Sequence, residues 1–239
     1  MSLTFAALAL LGASADAAET ALPTLPPLVS GNALGNGWRV ANLPAQKPPA
    51  TRYMPEMVDG RAALRMEAQA SYGNLLHEPV EGTLPRLLQW SWRVATPNPG
   101  TDLRQKAGDD VAAKVCLSFD LPLSSVPFGE RVLLQLARAR TGEPLPAATL
   151  CWVWGGTEAR DSAIDNAFSR RVRTIVLRNA AQATGAWFDE SRDIAADFAR
   201  SFGDEAATPP PLLAVGVGAD ADNTGARSVA HLTALRFAP

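Results

Sequence analysis

From Leu88 to Val94 apolar and polar residues alternate without a break: Leu88, Trp90, Trp92 and Val94 against Gln89, Ser91 and Arg93. A period of two places the first set on one face of a β-strand and the second on the other, so the segment fits a half-buried strand and no helix. The pattern recurs at Ala63 to Gln69 and at Val111 to Asp120, where Val115, Leu117 and Phe119 oppose Lys114, Cys116 and Ser118. Further strands are expected at Gly37 to Val40, Tyr72 to Leu76, Thr149 to Trp154, Arg171 to Leu177, Leu212 to Val217 and Ser228 to Phe237. Gly and Pro separate them.

Two segments change period. Phe128 to Arg140 carries a helical stripe of Val132, Leu133, Leu136 and Ala137. Ser191 to Phe202 carries another, Ile194, Ala195, Phe198 and Phe202, with Ser191 as N-cap and Gly203 as the stop. Roughly nine or ten short strands with one or two short helices give a mainly β chain, an antiparallel β-sandwich of jelly-roll type. A doubly wound sheet needs more crossover helices. One domain is expected over 37–239, after a signal peptide at 1–18 and an extended, proline-bearing leader at 19–36.

The signal segment has an apolar core from Leu3 to Leu11 and small residues at Ala13-Ser14-Ala15 and Ala15-Asp16-Ala17, although no Lys or Arg precedes the core. It implies an exported protein, periplasmic or secreted; an alanine-rich helix is the other interpretation. Twenty-two basic against 24 acidic residues leave a net charge of -2, which argues against nonspecific nucleic-acid binding, since that needs a basic face. No apolar run is long enough for a transmembrane segment. Cys116 and Cys151 either pair or remain two buried thiols.

Strand-end loops are where such scaffolds place function. The run Leu212 to Val217 leads into a polar turn with Asp220, Asp222, Asn223, Thr224 and Gly225. Asp109, Asp110 and Lys114 enter the strand at 111–120 and are expected to face that turn across a sheet edge. Trp154, beside Gly155-Gly156, is the candidate among the tryptophans for a ligand platform, with a core position as the other interpretation. These residues are the candidate ligand-binding set. Asp220, Asp222 and Asn223 are candidate hard-oxygen ligands for calcium, but the turn departs from an EF-hand, with Thr224 at position five and His231 at position twelve. The bland alternative is an Asx turn whose carboxylates bond nearby backbone N–H groups. No cofactor is expected. Gly216-Val217-Gly218 lacks the following helix that a dinucleotide site requires; its glycines fit a close approach to the strand.

Trp90 to Val94, Gly108 to Val115, Trp152-Val153-Trp154, Arg192-Asp193-Ile194 and Asp220 to Gly225 together resemble the bacterial family catalogued as domain of unknown function 3047 (DUF3047). The resemblance spans Trp38 to Phe237. It implies an exported β-sandwich of jelly-roll type and no activity, ligand or catalytic residue. Ala219 and Ala221 stand where that family often has Thr. No G-x-S-x-G, H-E-x-x-H or C-x-x-C motif is present, so the sequence makes no positive case for an enzyme. Three functions follow: a noncatalytic module binding a glycan or another cell-envelope component, a glycan hydrolase or lyase using paired carboxylates, and a structural or assembly protein of the envelope.

Overall fold

The computed structural model describes residues 22–42, 46–78, 80 and 82–239; the expected signal segment at 1–18 lies outside them. In chain order the strands begin with β1 (Val29–Ser30), β2 (Ala33–Leu34), β3 (Arg39–Ala41), β4 (Arg52–Val58) and β5 (Arg61–Gln69). Next come β6 (Asn74–His77), β7 (Leu87–Thr96), β8 (Ala113–Phe119), helix α1 (Phe128–Thr141), β9 (Ala148–Trp154) and β10 (Ala163–Asp165). The chain closes with β11 (Val172–Arg178), β12 (Phe188–Asp193), helix α2 (Ile194–Phe202), β13 (Leu212–Gly218) and β14 (Arg227–Ala238).

These strands form a sandwich. Seven make one sheet, in the order β10-β11-β9-β8-β13-β6-β3, and five make the other, β12-β7-β14-β5-β4. Among the described strands the expected antiparallel pairing holds except for the parallel pair β9–β11. The long Gly155–Arg171 connection allows it, because the chain crosses back before β11 begins, and β10 then pairs antiparallel with β11 as the sheet edge. The leader does not stand apart from the domain. β1 and β2 form a small antiparallel ribbon, and Leu28 is buried in the main core.

Alternation decides which side chains meet. Trp90 and Trp92 of β7 point inward against Trp152 and Trp154 of β9, with ring centroids 5.6 and 5.9 Å apart in the two facing pairs. Indole rings bring large apolar area into the core but also a donor that must be met. Trp92 Nε1 donates to Glu190 (3.0 Å) and Trp152 Nε1 to Asp197 (2.7 Å). Arg178 and Arg192 neutralise those two buried carboxylates. A second, smaller core lies on the outer face of the seven-stranded sheet. Leu103 and Val111 come down onto Cys151, Val153 and Val176 there. Cys116 and Cys151, directly opposite each other on β8 and β9, form a disulfide beneath that cover.

The helices depart from their expected faces. α2 begins at Ile194 because β12 runs on through Ser191 to Asp193, and the Asp193 carboxylate, not Ser191, caps it by accepting the Ala196 N–H at 2.9 Å. Asp197 occupies the buried position that the stripe gave to Ala195, which is exposed. α1 forms where expected and stops at Gly142 in the left-handed conformation. Its stripe is inverted: Val132, Leu133 and Leu136 face outward, and Leu134 alone of the helix is buried.

Candidate functional site

The loop from 97 to 112 is held on the outer face of the seven-stranded sheet by Glu158. That buried carboxylate accepts the Leu103 N–H (2.6 Å) and the Gly156 N–H (2.8 Å). The loop thereby delivers Asp109 and Asp110 to the end of β8, beside the turn that joins β13 to β14. The sequence expectation holds in outline, since Asp109, Asp110, Lys114, Asp220, Asp222, Asn223 and Thr224 come together. Trp154 does not join them. It is only 1% exposed and packs against Trp92 and Phe188, because its place in the β9 alternation points it into the sandwich.

Each buried carboxylate of the cluster has structural partners. Asp220 accepts the Val111 N–H at 2.6 Å and the Lys114 ammonium at 2.5 Å. Its own N–H returns to the Val111 carbonyl at 3.1 Å. Asp110 is fully buried and accepts from the Thr224 N–H and hydroxyl, both at 2.7 Å, and from the Asn223 side-chain amide at 3.1 Å. These two groups latch the β13–β14 turn onto the Asp109–Val111 segment. They behave as the turn-fixing carboxylates of the bland alternative.

The remaining groups are less committed. Asp109 is bonded by the Asn166 amide at 2.5 Å, and burial raises its pKa above the ordinary carboxylate range despite that bond. Asp222 has one buried oxygen, Oδ1, with no hydrogen-bond partner. Burial first, then the Asp110 and Asp220 charges, push its pKa up to about 6. Burial works against the Lys114 ammonium, yet the charge and hydrogen bond of Asp220, with Tyr72 and Asp109, together outweigh it and raise the lysine pKa. The Lys114 Nζ also lies 5.1 Å from the centre of the Tyr72 ring, whose hydroxyl accepts from Asn74 at 3.1 Å.

Gly218 makes this packing possible. A Cβ there would sit 2.7 Å from Asn74 Oδ1 and 3.0 Å from Lys114 Cε, the close approach that its glycine predicted. Tyr72, Asn74, Asn166 and Asn98, whose amide donates to the Thr224 hydroxyl at 3.0 Å, were not legible in the sequence. Only the β6–β13 pairing brings the first two alongside, and no local spacing encodes that contact.

Among the described residues no group of three or more His, Cys, Asp or Glu side chains is arranged to hold a metal ion. Calcium at Asp220 would have to displace Lys114 and the Val111 N–H. The chemistry left to the cluster is hydrogen bonding at its rim: carboxyls of Asp109 and Asp222, the amide of Asn223 and the phenol of Tyr72. A cavity of about 350 Å³ opens elsewhere, against β7, β12 and the bulge of β14 at Ala234. Gln89, Ser91, Asp189, Ser191 and Arg236 line it, and none of the predicted site residues does. Among the described residues no helix is long and apolar enough to cross a membrane.

The chain is similar over 93% of its length, and over 98% of the other chain, to the crystal structure of Trichoderma harzianum endoglucanase 3 from family GH12, with 13% identity and a TM-score of 0.42. No curated protein matches it. The model of the family described as protein of unknown function (DUF3047) matches residues 36–236, which includes both halves of the Asp110–Asp220 latch and the β13–β14 turn. The chain belongs to the DUF3047 family.

Proposed function

We propose that this is an exported, noncatalytic sandwich module that binds a glycan or another polyhydroxylated component of the cell envelope at the rim formed by Asp109, Asp222, Asn223 and Tyr72. The observation that carries this reading is the division of labour among the carboxylates. Asp110 and Asp220 are buried and taken up by backbone, hydroxyl and ammonium donors, so neither is free to attack or to move a proton. What faces outward can exchange hydrogen bonds with hydroxyls, as sugar sites do through a few placed polar groups. The Cys116–Cys151 disulfide supports export, since such bonds persist in oxidising compartments and are rare in the cytosol.

One observation favours the hydrolase alternative. A carboxyl titrating near 6, as Asp222 does, is suited to general acid catalysis. The two readings separate in one experiment. Calorimetric titration of soluble peptidoglycan fragments and neutral oligosaccharides into the protein is expected to give heat of binding that Asp222→Asn or Asn223→Ala reduces and Asp189→Asn leaves alone. Loss with Asp189→Asn instead would move the site to the cavity at the β14 bulge. Release of new reducing ends by the wild-type protein, abolished in Asp222→Asn, would make it an enzyme. Binding unaltered by all of these substitutions would overturn the proposed site.

A further inference from the structure

α1 is inside out. At 100° per residue, Phe128, Val132, Leu136 and Leu133 fall within an arc of roughly 140° on the side opposite the buried Leu134. Phe128 is 73% and Leu133 62% exposed. A helix normally turns such an arc to the core, and exposing it costs apolar transfer free energy unless something covers it. The charges on the helix say what does. Arg131 holds its guanidinium 5.6 Å from the centre of the Phe128 ring and bonds only the Leu123 carbonyl; Arg138 bonds the Leu145 carbonyl. Neither these two nor Arg140 has a carboxylate within ion-pair distance among the described residues, whereas Glu130, the single acid of α1, is already beside Arg171 at 3.6 Å.

We propose that the outer face of α1 docks the protein on an anionic phospholipid bilayer surface. Aromatic and aliphatic side chains would enter the headgroup–acyl boundary while Arg140, within the same arc, and Arg131, beside Phe128, meet lipid phosphates, the physics of an interfacial amphipathic helix. A second copy of the chain fits less well. Two α1 helices face to face would set Arg140 and Arg131 against their own copies, and each helix has only the one committed glutamate to offset them. A neutral apolar partner would leave the same cations unmatched.

The test is co-sedimentation of the full chain with phosphatidylcholine vesicles, with and without phosphatidylglycerol. The expected result is binding to the anionic vesicles only, weakened by salt. Leu133→Ser with Leu136→Ser should lower partitioning by roughly tenfold or more through the lost apolar transfer, and Arg140→Glu should lower it for anionic vesicles. Circular dichroism and thermal melting check that both variants remain folded, which their exposure favours. Failure of the wild-type chain to bind, or binding indifferent to these variants, overturns the proposal. So would a dimer seen by sedimentation velocity that the leucine variant abolishes while vesicles bind nothing.

Discussion

Helix α2 buries Ile194, Phe198 and Phe202 completely against the sandwich, while α1 presents Phe128, Val132, Leu133 and Leu136 to solvent. Both have apolar residues at helical spacing, so spacing alone does not distinguish them. Their surroundings do. α2 follows β12 without a loop, and Asp197 on its inner face meets Arg192 and the Trp152 indole N–H. α1 is tied down through Leu134 and through Arg131 and Arg138, which bond the carbonyls of Leu123 and Leu145. The same contrast runs through the acidic cluster. Asp110 and Asp220 are met on all sides, and Asp222 keeps an unpartnered oxygen.

The contrast is sharpest under truncation. Phe198→Ala removes a ring packed on both Phe119 and Phe202 and should cost about 3–5 kcal/mol in urea unfolding. A cost below about 1 kcal/mol would mean that α2 is as loosely held as α1. Asp110→Ala comes next. It strands the Thr224 N–H and hydroxyl in a buried setting and should cost about 2–3 kcal/mol. Near-neutrality there would make the latch a surface feature rather than a structural one.

Much of this was readable from alternation. Trp90, Trp92, Leu117 and Phe119 are core because a two-residue period leaves them no other face, and the meeting of Asp109, Asp110 and Asp220 followed from two strand ends on one sheet edge. Trp154 was misplaced as a platform because its neighbouring glycines suggested exposure, yet the β9 alternation alone placed it inward with Trp152. The inverted face of α1 had no local signature, since which side of a helix is covered depends on the elements it lands on. Tyr72 and Asn74 reach the site through a long-range pairing that no window of sequence contains.

Asp222 has a pKa of 3.8 in ordinary surroundings and about 6 here. Because the folded state holds the proton more tightly, this group adds stability when protonated and loses that contribution as pH rises from about 4 to about 6. A shift of that size corresponds to about 3 kcal/mol, which solvent screening of a half-exposed carboxyl reduces to about 1 kcal/mol. Asp222→Asn should therefore raise the melting temperature at neutral pH and flatten the pH profile between those limits. An unchanged profile would show that the lone oxygen is solvated, and the contrast with Asp110 would lose its electrostatic half.

The smallest effect is expected where the helix comparison predicts no structural role. Leu133→Ser with Leu136→Ser should shift unfolding free energy by no more than about 0.5 kcal/mol, in either direction, because both side chains already face water in the isolated chain. Ser lowers helix propensity slightly, whereas removing exposed apolar surface relieves a solvation penalty, and the two terms oppose each other. A loss of 2 kcal/mol or more, roughly the value of burying a leucine side chain, would show that the stripe is covered within the molecule. α1 would then be a core helix like α2, and its surface would have no partner left to explain.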